Sequence, residues 1–108
     1  MIRNGRTVTL GEEFVRELEA AEKYVGRDAP HRGRQFVSEV MDFALEILAP
    51  LPFAYPVYPH PTAPGHQLRR AVFRKQCIII YEVSETEVSF IFFYHSSRNS
   101  PDLSFLGS

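Results

Sequence analysis

One cysteine, Cys77, is all the thiol this 108-residue chain carries, so no disulfide framework can staple it and a reducing cytosol is the natural compartment. The chain has no glycine-rich loop to cradle a phosphate, no dinucleotide fingerprint and no Cys/His set at metal-ligand spacing. His60 and His66 fall in a loop and His31 stands far from both in sequence, so neither a metal nor an organic cofactor is expected. No basic-then-apolar leader opens the chain and no apolar run is long enough to span a bilayer, which leaves membranes out of the expected partners. Formal net charge is only −1, which argues against a general nucleic-acid binder.

The most informative scarcity is local. Between Ile47 and Tyr81 there is no carboxylate, while His60, His66, Arg69, Arg70, Arg74 and Lys75 all fall there. Residues 1–46 carry nine of the 13 carboxylates. An acidic helical half and a cationic sheet edge make a dipolar molecule whose basic side suits an anionic partner. The plainer reading is an edge strand guarded by positive charge against aggregation.

A hydrophobic fraction of 44% with 23% charged residues describes a soluble globular chain, expected as a single domain over residues 1–108. Arg6-Thr7-Val8-Thr9-Leu10 alternates polar and apolar as a short strand does. Thr9 and Glu12 have capping-box spacing. A helix then carries Phe14, Leu18, Ala21 and Val25 on one face until Gly26 stops it. Asp28 as cap and Pro30 in the first turn start a second helix. Its stripe combines Phe36, Val40, Phe43 and Ile47 with Val37, Met41, Ala44 and Leu48, and Pro50 and Pro52 end it. From Ala49 to Gln67, alternating prolines and aromatics predict an extended segment laid across the surface. Three strands follow: Leu68–Phe73, then Cys77–Val83 and Glu87–Tyr94 joined by the hairpin link Ser84-Glu85-Thr86. The expected fold is α+β, in the order β-α-α-β-β-β, with an antiparallel sheet packed against a helical hairpin.

Along the last strand, strict alternation places Val88, Phe90, Phe92 and Tyr94 on one face and Ser89, Ile91, Phe93 and His95 on the other. His95 is the candidate acid or base and Arg98 the candidate phosphate or carboxylate ligand. Each alone is as readily explained by packing at a strand end. Arg69, Arg70, Arg74 and Lys75 on the same sheet give a binding surface more weight. Cys77, flanked by isoleucines, reads as a buried, inert thiol.

These segments, and above all Val88 through Tyr94 closing on His95-Ser96-Ser97-Arg98-Asn99, resemble the RelE/ParE superfamily of bacterial type II toxins. The resemblance spans residues 6–103, with Ser100 interposed before Pro101 and a longer proline-rich loop than is usual. It implies a cognate antitoxin as partner and either of two targets. A ParE-like toxin poisons DNA gyrase without a catalytic constellation. A RelE-like toxin cuts messenger RNA on the ribosome, a reaction that needs a base and several cations. The residues after Arg98 include no tyrosine, and the His-Ser-Ser-Arg-Asn ending is similar to ParE, so the gyrase branch is the expectation. His95 and Arg98 are catalytic only in the endoribonuclease branch, with Arg69, Arg70, Arg74, Lys75 and Arg98 facing the target in both. A non-toxic interaction module is the remaining alternative.

Overall fold

A computed structural model describes residues 2–60, 63, 65–95 and 103–106. In chain order these form β1 (Ile2–Arg3), β2 (Arg6–Leu10), α1 (Glu12–Val25), α2 (Pro30–Asp42), β3 (Leu68–Phe73), β4 (Cys77–Val83) and β5 (Glu87–His95). A π-helical stretch, Phe43–Leu48, continues α2, and a single 3₁₀ turn spans Ser104–Leu106. The five strands make one sheet in the order β1-β2-β5-β4-β3, with the two helices packed on one face.

This is the expected α+β layering with two additions to the sheet. First, β2 pairs with β5 in parallel, Val8 opposite Val88, so the sheet is mixed rather than wholly antiparallel. The return through both helices and the β3–β4–β5 meander brings the last strand alongside the first in the same direction. Second, β1 folds back on β2 through Asn4 and Gly5, both at positive φ (49° and 79°). An Asn-Gly pair is the residue choice such a two-residue turn favours.

The helix boundaries fall where anticipated, but the caps differ. Gly11, not Thr9, is the N-cap of α1. The Thr9 hydroxyl instead donates a 3.0 Å hydrogen bond to Ser89 Oγ across the β2–β5 pair. The Gly11 N–H donates to the Phe90 carbonyl at 2.8 Å, and a Cβ there would stand 3.0 Å from that oxygen. Arg16 pairs with Glu13, three residues before it, at 2.5 Å. Ala29, not Asp28, is the N-cap of α2, with Pro30 in the first turn as expected.

At the end of α2 the helix widens. The Ala49 N–H bonds the Ala44 carbonyl, five residues back, at 2.9 Å. Adding a residue to the turn rotates the following side chains against the 3.6-residue stripe. Ala44, Leu48 and Ala49 are therefore buried while Ile47, expected in the core row, is half exposed.

The main core lies between helices and sheet. Phe14 packs on Phe90 and Phe93 (ring centroids 5.7 and 6.5 Å), and Phe43 on Phe73 at 5.1 Å. A second apolar cluster on the opposite face holds Ile78, Ile80, Ile91, Phe92 and Tyr94. Ala63 from the proline-rich connection and Leu103 from the C-terminal segment bury it. Apolar surface that one helical hairpin cannot cover is thus taken up largely within the chain.

Candidate functional site

A bulge decides which face each residue of β5 serves. Ile80 pairs with Phe92 and Tyr81 with Phe90, so Ile91 is an extra residue in the ladder. Val88, Phe90 and Phe93 face the helices, and Ile91, Phe92 and Tyr94 belong to the opposite cluster. Strict alternation, which put Phe92 with Phe90 and Ile91 with Phe93, is corrected by this one residue.

His95 ends β5 opposite Cys77 and its side chain is exposed. It borders an open groove of about 510 Å³ between α1 and the β4–β5 end, walled by Ala20, Ala21, Tyr24, Phe36 and Phe93. Burial pushes the Cys77 thiol up, against a smaller downward pull from Arg74, so little reactive thiolate forms near neutral pH. Arg98 lies outside the described residues.

The four cations expected to share one surface are divided. Arg69 turns toward the helix side, where it donates to the Tyr55 carbonyl and its guanidinium lies 5.0 Å from the Phe53 ring centre. Arg70 takes the opposite face, 5.8 Å from the Tyr58 ring and close enough to the Tyr94 phenol to act on its ionisation. Arg74 reaches across to α2 and pairs with Glu39 at 2.6 Å. Lys75 is exposed in the β3–β4 turn.

Two tyrosines missed in the sequence reading complete the Arg70 group. Tyr94 stands opposite Ile78 on β4, and Tyr58 is brought in by the loop, whose Val57 bridges to Arg69 and whose Tyr58 N–H bonds the Leu68 carbonyl at 2.6 Å. Burial raises the Tyr94 phenol pKa; the nearby Arg70 opposes the shift without cancelling it, so the phenol stays protonated near neutrality. Nearby, His66 Nδ1 lies 3.2 Å from Glu82 Oε2, and the His60 ring meets Tyr58 at a tilt of 56° with centroids 5.8 Å apart. The signal for this group was present in the pattern Leu68-Arg69-Arg70, since alternation sends adjacent arginines to opposite faces. Among the described residues no three His, Cys, Asp or Glu side chains gather as a metal site.

The arrangement supplies an arginine flanked by two phenols on one face and a histidine at a groove on the other. Arg70 and His95 therefore lie on opposite faces of the sheet.

No family model matches this sequence, and no curated protein does. Solved structures do match. A chain of a chromosomal ParDE TA system from P. aeruginosa aligns with a TM-score of 0.68 at 12% identity, covering 84% of this chain and 96% of its own. A chain of the RelBE2 toxin-antitoxin complex from Mycobacterium tuberculosis aligns at 0.61 and 18% identity, covering 87% and 94%. YafQ from E. coli gives 0.55 and 18%, covering 85% and 94%. The fold is the RelE/ParE-type toxin fold, two helices on a five-stranded mixed sheet.

Proposed function

We propose that this chain is the toxin of a type II toxin–antitoxin pair, that it inhibits DNA gyrase in the manner of ParE-like toxins, and that a cognate antitoxin neutralises it. The observation that carries the gyrase reading is the separation of His95 from Arg70 by the sheet. Cleavage of RNA at a ribose 2′-hydroxyl requires a base and cations converging on one phosphate. Here His95 and Arg70 stand on opposite faces of the sheet. A gyrase poison has no such requirement. The similarity to a ParDE chain, with the highest TM-score among the structures described above, supports the same branch.

Within this reading Arg70 and Lys75 are the target-facing cations among the described residues, and Arg98 joins them through the closing motif of the sequence. Arg69 and Arg74 are committed in large part to holding the loop and α2. The RelE-like reading, a ribosome-dependent endoribonuclease, draws its support from the Arg70, Tyr58 and Tyr94 group and from the similarity to the RelBE2 and YafQ structures. The raised Tyr94 pKa counts against that phenol as a base.

The toxin–antitoxin reading is tested by inducible expression with and without the neighbouring short reading frame. Growth arrest on expression of this chain alone, relieved by co-expression of the neighbour, is the expected result. Unimpaired growth at high expression of folded protein would overturn it.

A further inference from the structure

The proline-rich connection does more than cover the sheet. It presents the Phe53 ring, 59% exposed, within cation–π range of two guanidinium groups: the Arg6 carbon lies 5.2 Å and the Arg69 carbon 5.0 Å from the ring centre. Arg6 gives one N–H to the Ser84 carbonyl at 2.9 Å, and Arg69 gives one to the Tyr55 carbonyl. A guanidinium carries five N–H donors, so both keep donors to spare. Among the described residues neither arginine pairs with a carboxylate, whereas Arg3, Arg16 and Arg74 each do. A ligand carrying two carboxylates can neutralise both guanidinium groups at once. Leu51, in the same connection, is 63% exposed.

We infer that Arg6, Phe53 and Arg69 form a docking site for an acidic segment of a partner protein, with two carboxylates on the guanidinium groups and an aliphatic side chain against Phe53 and Leu51. Arginine and aromatic side chains at the centre of an exposed apolar patch are the usual anchors of protein interfaces. A nucleic-acid strand fits less well. Its phosphates call for a run of cations, while this site offers two, with Glu46 held nearby through its pair with Arg3, on a chain of net charge −1.

The inference does not depend on the toxin reading, and its test measures binding to the purified chain, so failure of one leaves the other standing. The probe is a fluorescein-labelled peptide of glutamate and leucine, compared with a glutamine-for-glutamate control and with a labelled DNA duplex by fluorescence polarisation. Expected are binding of the acidic peptide only, and a loss of about tenfold or more in Arg6→Gln, since a hydrogen bond to a charged group contributes about 1.5–3 kcal/mol. Phe53→Ala should weaken the acidic peptide similarly, and Arg6→Lys should fall between Arg6→Gln and the parent. Thermal melts of each variant identify any that fail to fold, and Arg6→Gln and Phe53→Ala change different parts of the site. Equal binding of the control peptide, unchanged affinity in both folded variants, or tighter binding of the duplex would overturn the proposal.

Discussion

Gly33 of α2 sits directly on the backbone of Glu22 in α1: a Cβ on Gly33 would overlap the Glu22 carbonyl oxygen. Gly26 faces the same contact, its own hypothetical Cβ lying 3.0 Å from that oxygen and 3.3 Å from the Gly33 Cα. The helical hairpin therefore closes on backbone, with no room for a side chain at the crossing. Gly33→Ala should destabilise the fold by about 1–3 kcal/mol, the usual range for overpacking. Thermal unfolding checks this: each kcal/mol lowers Tm by roughly 4–8 °C in a domain of this size. A melt within about 1 °C of the parent would show that the helices separate freely.

The widened turn after α2 makes a paired prediction. Leu48→Ala should cost about 2–5 kcal/mol because Leu48 is fully buried, whereas Ile47→Ala should cost under about 1 kcal/mol at a half-exposed position. A regular helical stripe predicts substantial losses at both. Urea midpoints for the two variants distinguish the cases.

The buried Tyr81 hydroxyl donates to the Pro52 carbonyl at 2.8 Å and so ties the loop to β4. Burial pushes its pKa from 10.0 up to about 12, with Arg69 opposing. The folded-state pKa lies above the unfolded one, so the stability this proton contributes is complete below about pH 10 and is lost as pH rises toward about 12. Stability of the parent should therefore fall between about pH 9 and about pH 11, and Tyr81→Phe should flatten that slope while lowering stability at neutral pH by about 1–3 kcal/mol. Denaturant unfolding at the two pH values provides the check.

The β3–β4 turn places Arg74 and Lys75 at φ 55° and 65°, a region non-glycine residues rarely occupy. Asparagine tolerates it better, so Lys75→Asn should stabilise the chain by up to about 1 kcal/mol. A lowered Tm in that variant would mean that Lys75 makes a stabilising contact outweighing its backbone strain.

Local chemistry made most of the fold legible in the sequence. The β-branched and aromatic runs Ile78–Val83 and Val88–Tyr94 are strands, and the Phe14–Leu18 and Val40–Ala44 stripes face the core. What escaped were shifts of phase inside uniformly apolar runs. Ile91, Phe92 and Phe93 look alike to any alternation rule, so nothing marked the bulge that separates Phe92 from Phe90. The π-helical turn at Phe43–Leu48 hides in the same way. The parallel β2–β5 pairing is a contact between residues some 80 apart, such as Thr9 and Ser89, and no local signal encodes it. The β1 hairpin was readable from Asn4-Gly5. For the site, adjacency in Arg69-Arg70 suggested one cationic surface, whereas the pleat sends the two to opposite faces.

In the proposed reading this chain poisons gyrase without cutting RNA, and His95 separates the alternatives. Expression of the wild type and of His95→Gln in parallel cultures, with plasmid supercoiling and ribosome-dependent messenger cleavage followed in each, tests it most directly. A general acid or base contributes about 10²–10⁴-fold in rate, so an endoribonuclease relying on His95 would lose toxicity in the variant. We predict loss of supercoiling in both cultures, intact messenger RNA and little loss of toxicity. Messenger cleavage by the wild type that disappears in His95→Gln would contradict the claim.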